Sequence, residues 1–137
     1  MGRFNVKLQL ANHEDKILAK AGVIPATSIR RAEVEGLVDS GATRLVLPTA
    51  VADLLGLPRV GKVTVQYADR RRAERDMAGD VDLTLFGRTC SLTASLEPDR
   101  TTALIGAIVM EELDLLIDCR NGMLRPRDPD GMINEIE

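Results

Sequence analysis

The chain has 137 residues, 45 % of them apolar, which suits one domain with a buried core and argues against a disordered chain. With no Trp, one Tyr and two Phe, the core must be built from Leu, Val, Ile and Ala, and no aromatic platform for single-stranded nucleic acid can be assembled. Lys and Arg total 18 against 21 Asp and Glu, a net charge of −3 that points away from a phosphate-backbone partner.

Phe4, Val6, Leu8 and Leu10 alternate with Asn5, Lys7 and Gln9, the period of a half-buried strand. His13 to Ala21 reads as a short helix or loop ending at Gly22, with Ile17 and Leu18 inward, and Pro25 breaks the pattern. Alternation resumes in Ala32, Val34, Gly36 and Val38, a strand that leads into Asp39-Ser40-Gly41. Leu45-Val46-Leu47 reads as the next strand. Pro48 suits a first helical turn, Val51, Leu54 and Leu55 supply its apolar face, and Gly56 stops it.

Residues 62–67 and 75–78 flank the polar stretch Ala68-Asp69-Arg70-Arg71-Arg72, which predicts a hairpin tip. Val81, Leu83 and Leu85 alternate and continue past Gly87 into residues 91–96, a second hairpin. Leu104-Ile105 is a short apolar strand ending at Gly106, residues 108–113 make one or two helical turns, and Leu115-Leu116-Ile117 reads as a buried strand. Asn121-Gly122 is a turn signal before Met123-Leu124. The sum is a mainly β domain over residues 1–125, with one or two short helices. A polar tail, 126–137, follows, in which Met132, Ile133 and Ile136 are candidates for pairing elsewhere.

Cys90 and Cys119 are far apart in the chain, with no CxxC and only His13 to join them, so no metal site and no cofactor is expected. They read as reduced thiols of a cytoplasmic protein. The first residues hold no continuous apolar h-region, so no signal peptide is expected, and no apolar run is long enough for a membrane helix. Asp128-Pro129-Asp130-Gly131 lacks the ligand spacing of a calcium loop and reads as a turn.

The chemistry sits in Val34 to Pro48, where an apolar strand brings a carboxylate, a small hydroxyl residue and a glycine to a turn and a second apolar strand follows. Apolar surroundings favour the neutral form of a carboxyl group, and a glycine two residues on lets a backbone or a substrate come close. Leu37-Val38-Asp39-Ser40-Gly41-Ala42-Thr43 resembles the active-site motif of the retropepsin-like aspartic proteases, in particular their stand-alone prokaryotic members. A second element, Ala103-Leu104-Ile105-Gly106 followed by Ala107 to Met110, is similar to that family's apolar-apolar-Gly strand and helix. The stretch between Gly41 and Gly106 leaves room for a flap hairpin, and the likeness spans residues 4 to 124.

The resemblance implies an acid-protease barrel whose Asp-Ser-Gly loop lies at a homodimer axis. One motif per chain supplies half a site, so Asp39 of two protomers would meet across the axis and share one proton. Ser40 would hydrogen-bond to the partner's loop, Gly41 and Ala42 would run along the substrate main chain, and Gly106 would let its strand pass close behind the loop. The flap departs from the family pattern. It has no glycine between Gly61 and Gly79, so it should be stiffer, and Arg70, Arg71, Arg72 and Arg75 outnumber Asp69, Glu74 and Asp76, which reads first as a solvated hairpin tip and second as a set of cations for acidic substrate residues. Tyr67 would lean over the cleft or pack as an ordinary side chain.

The expected function is hydrolysis of a peptide or protein substrate by the Asp39 pair. The alternative is a dimeric module of the same fold that binds a peptide or partner without cutting it. A Ser40 nucleophile would need a base, and the only histidine is His13.

Overall fold

Each alternating segment forms a strand, and the computed structural model describes residues 4–136. Strands β1 (Phe4–Asn12) and β2 (Arg31–Val38) pair antiparallel, with Leu8 opposite Val34 and Leu10 opposite Ala32. Between them lie helix α1 (His13–Lys20) and a 3-10 turn at Ala26–Ser28. Strand β3 (Leu45–Pro48) runs into helix α2 (Thr49–Leu54), which stops where Gly56 adopts a φ of +63°.

Strand β4 (Arg59–Gln66) then forms a hairpin with the first half of β5 (Arg72–Leu85). The two hairpins expected from the sequence thus share one 14-residue strand, whose register against β6 (Arg88–Glu97) shifts between Ala78 and Val81. That irregularity switches which residues face inward, from Ala78 before it to Val81, Leu83 and Leu85 after it. Strand β7 (Ala103–Ile105), helix α3 (Ala107–Glu112) and a separate hairpin of β8 (Leu115–Asp118) and β9 (Met123–Pro126) complete the fold.

The main sheet has the order β1-β2-β7-β3-β6-β5-β4, and β1 also pairs with β5, opposing Leu10 to Leu83. Six strands therefore close into a barrel, and the β4 hairpin projects from it. The core is aliphatic, as the composition required, with Leu8, Leu45, Leu47, Leu55, Leu83, Ile105 and Leu113 fully buried. Among the described residues there are three short α-helices instead of one or two, the third being α1.

The expected inward residues of the helices are partly wrong. Ile17 is 54 % exposed and Leu54 67 % exposed, while Asp15 is buried. Asp15 turns inward because Arg30 meets it with Nε at 2.9 Å, Nη2 at 3.0 Å and a backbone N–H at 3.0 Å. In α2 the buried position is Ala52, with Leu55 buried at its C-cap, which leaves Leu54 facing solvent. Strand β8 is half-buried rather than buried, since it pairs only with β9. No helix among the described residues is long and apolar enough to cross a membrane.

Asp82 is a second buried acid. Burial pushes its carboxyl up, but hydrogen bonds from Lys16, Ser91 and His13 outweigh that and hold it below the usual range, tying the start of α1 to the barrel wall. Asp15 is likewise held below its ordinary value of 3.8, first by the side-chain hydrogen bonds of Arg30. A carboxyl depressed in the folded state stabilises the fold above its unfolded value and loses that contribution as pH falls through the folded one. Resistance to urea should therefore hold from neutral pH down to the ordinary carboxylate range and decline below it. Arg30→Gln should be less stable at pH 7 and show a shallower acid decline, measured by urea titrations across pH. An unchanged acid slope would remove Asp15 from the account.

Candidate active site

The Asp39 loop is held by backbone before any side chain is considered. Strand β7 lies between β2 and β3, parallel to β2 and antiparallel to β3, with Leu104 opposite both Leu37 and Val46. The two strands that the loop joins are thus splayed around a third, and the loop must cross over that strand's end. Asp39 N–H donates to the Ile105 carbonyl at 3.1 Å, Ala107 N–H to the Ala42 carbonyl at 2.9 Å, and Ile108 N–H to the Thr43 carbonyl at 3.0 Å. Inside the loop, Ala42 N–H donates to the Asp39 carbonyl and Gly41 N–H to Asp39 Oδ1 at 2.9 Å, which orients the carboxylate.

Gly106 is what allows the crossing. A Cβ there would lie 2.6 Å from the Ala42 carbonyl oxygen and 2.7 Å from the Thr43 carbonyl carbon, both backbone atoms without freedom to swing aside.

In front of the loop is a cleft of about 490 Å³. Its fixed wall is residues 41–44 with Val46 and Leu104, its lid is residues 63–67 of the β4 hairpin, and its end is Ser95, Glu97 and Arg100. Gly41, Ala42 and Tyr67 line it. Gly106 instead lies beneath the loop. Asp39 is half-buried and Ser40 exposed at the loop's crest in the single chain.

The hairpin tip solves its lack of glycine at a residue that is not one. Arg70 takes a φ of +68°, Arg70 N–H donates to the Tyr67 carbonyl, Tyr67 N–H donates to the Arg71 carbonyl, and Asp69 Oδ1 accepts from Arg71 N–H. The outer face is laced by Lys62 to Asp76 at 2.9 Å, cross-strand neighbours, and by Arg72 to Gln66 at 2.8 Å.

Tyr67 is no ordinary packing residue. Its hydroxyl donates to both Glu97 oxygens, at 2.9 and 2.8 Å, and Arg75 Nε donates to Glu97 Oε1 at 3.2 Å. Arg71 stacks over the ring, 4.7 Å from its centre. Burial and then the Glu97 hydrogen bond push the phenol above its ordinary value of 10.0, so it stays a donor. The flap is thereby latched to the end of β6.

Glu97, Ser95 and Arg100 carried no motif signal. Parity was the only signal available for the first two, because Leu92, Ala94 and Leu96 of β6 pack on the core and leave 95 and 97 on the opposite face. His13 is engaged with Asp82 at 2.7 Å and Ser91 at 3.1 Å through the same ring nitrogen, Nδ1. It is thus not the base of a Ser40 nucleophile, nor part of a relay with Ser91, which would need one ring nitrogen for each partner. Burial pushes the Cys90 thiol up to about 11.

Gly106→Ala tests how the loop is held. The new methyl group must displace the backbone at Ala42 and Thr43, so a loss of about 1–3 kcal/mol is expected from overpacking, read as a lower midpoint in urea. Unchanged stability would show that the loop moves aside freely.

The fold has counterparts among solved structures. The EIAV protease complexed with the inhibitor HBY-793 superposes with a TM-score of 0.56 at 16 % identity, over 82 % of this chain and 88 % of that one. The retroviral protease-like domain of Ddi1 from Leishmania major superposes with a TM-score of 0.51 at 20 % identity, over 69 % of this chain and 76 % of that one. No curated protein matches the sequence. The family model described as aspartyl protease matches residues 24–109, from before β2 into α3, and so takes in the Asp39 loop, the flap and Gly106. The chain belongs to the aspartyl protease family, in its retropepsin-like form.

Proposed function

We propose that the protein is an aspartic endopeptidase active as a homodimer, in which Asp39 of each protomer supplies one carboxyl group of the catalytic pair. The observation that carries this is the Asp39-Ser40-Gly41 loop, present once in the chain, held from behind by Gly106 and facing a flap-covered cleft. Peptide hydrolysis by water needs a base and an acid at the same carbonyl, and one carboxyl group cannot be both at once. Two brought to about 3 Å cannot both be ionised, so the pair holds one proton. The ionised group takes a proton from water as its oxygen attacks the carbonyl carbon, and the protonated group donates to the carbonyl oxygen. Collapse of the tetrahedral intermediate then breaks the C–N bond, with a proton delivered to the leaving nitrogen.

Supporting roles follow from position. Ser40, exposed at the loop's crest, would hydrogen-bond to the partner's loop in this reading. Gly41 and Ala42 offer a smooth wall for an extended main chain, and Tyr67 closes over it from the flap.

Incubation with a diverse peptide library is the test. Wild type should cut, and Asp39→Asn should keep its circular dichroism spectrum while losing hydrolysis. At low concentration the rate should rise with the square of protein concentration and become linear once dimers dominate. Excess Asp39→Asn should poison the wild type through mixed dimers. Equal cutting by both proteins would overturn the role of Asp39. A rate linear throughout, with a monomer by light scattering, would overturn the paired mechanism.

A further inference from the structure

Resting on the endopeptidase reading, we propose that the cleft selects peptides presenting a carboxylate, received by Arg44 and Arg100. The chain as a whole is acidic, at −3, yet the charged groups that line the cleft are two arginines and one glutamate. That glutamate is already answered. Both Glu97 oxygens accept from the Tyr67 hydroxyl and one also from Arg75, so a second carboxylate meets at Glu97 a group already paired.

The arginines are not answered. Among the described residues neither Arg44 nor Arg100 has a carboxylate partner, whereas Arg30, Arg59, Arg71, Arg75 and Arg127 each have one. Arg100 spends Nε on the Thr102 carbonyl at 3.0 Å and Nη2 on the Thr102 hydroxyl at 3.2 Å. Those bonds fix the plane of its guanidinium and leave the rest of its five N–H donors to offer. Arg44 follows Thr43 in the fixed wall and is exposed. Asp39 Oδ1 is engaged by Gly41 N–H, and Asp69 on the flap faces Arg71. Asp99, next to Arg100 in the chain, is exposed and does not line the cleft.

A guanidinium held in plane matches a carboxylate with two parallel hydrogen bonds, and apolar walls at Val46, Val63, Val65 and Leu104 lessen the screening by water. The carboxylate can belong to an Asp or Glu side chain or to the peptide's own C-terminus.

The test uses internally quenched peptides in matched pairs, Glu against Gln and Asp against Asn at each position, each with a free and an amidated C-terminus. Wild-type kcat/KM for the acidic member should exceed that of its neutral partner by about tenfold, the scale of one charge-assisted hydrogen bond. The gap should shrink at roughly 0.5 M NaCl, where screening acts over a few ångströms. Arg44→Gln and Arg100→Gln should each narrow the ratio, and Arg100→Lys should keep part of it. Sensitivity to the side chain or to the terminal amide tells which carboxylate is bound.

Binding of the same peptides to Asp39→Asn, followed by fluorescence anisotropy, separates selection from cutting. Equal cutting of both members overturns carboxylate selection and leaves the peptidase standing. Preferential binding of the acidic member without wild-type cleavage supports selection and overturns the peptidase. Peptides neither bound nor cut overturn both.

Discussion

The absence of one methyl group at Gly106 is the constraint on which the active end of the barrel depends. Strand β7 has only three residues, and its end passes directly under the backbone of Ala42 and Thr43. Because nothing projects there, Ala107 and Ile108 at the start of α3 can donate to the carbonyls of Ala42 and Thr43 while Asp39 donates to Ile105. The loop is therefore held by main-chain bonds whose directions are set by the sheet. Its own side chains are then free to be small, exposed and chemical. This explains why a loop as polar as Asp-Ser-Gly persists at the end of two strands whose neighbours Val38 and Leu45 are almost wholly buried.

The flap obeys different physics. Its strands β4 and the first half of β5 contribute little to the aliphatic core, and their outer face is held by exposed ion pairs such as Lys62 with Asp76, each worth little. What fixes its position is the Tyr67–Glu97–Arg75 group at the cleft, where the partners are better shielded from water. Elements with few buried apolar contacts open at low cost, so the hairpin can yield to an incoming chain while the Asp39 wall stays put.

Much of this was legible in the sequence because the barrel strands alternate cleanly and the Asp-Ser-Gly and Leu-Ile-Gly elements stand at the ends of such strands. What was not legible depended on partners far away in the chain. Ile17 looked inward by helical spacing, but Arg30 draws Asp15 into the interior and turns the helix so that Ile17 faces water. Leu54 failed for a related reason, since a one-turn helix has two possible apolar faces and the barrel accepts the one bearing Ala52 and Leu55. The β1–β5 pairing that closes the barrel joins segments some seventy residues apart, which alternation alone cannot match. Within the site, Glu97 and Arg100 have no local signature: Glu97 takes its place from Tyr67 and Arg75, and Arg100 from Thr102.

The two walls of the cleft therefore divide the work by how they are held. The fixed wall presents Gly41 and Ala42, whose geometry is dictated by strand order and by Gly106, and under the proposed function it would suit a main chain, which every peptide has. The opposite end presents side chains, Tyr67, Glu97 and Arg100, whose geometry is dictated by hydrogen bonds among themselves and with Thr102. Main-chain geometry changes only with the fold, whereas side-chain groups change with single substitutions. A barrel of this kind can keep one chemistry while altering what it accepts, and the residues that set acceptance are expected where motif searches are silent, on the polar face of β6 and the turn that follows it.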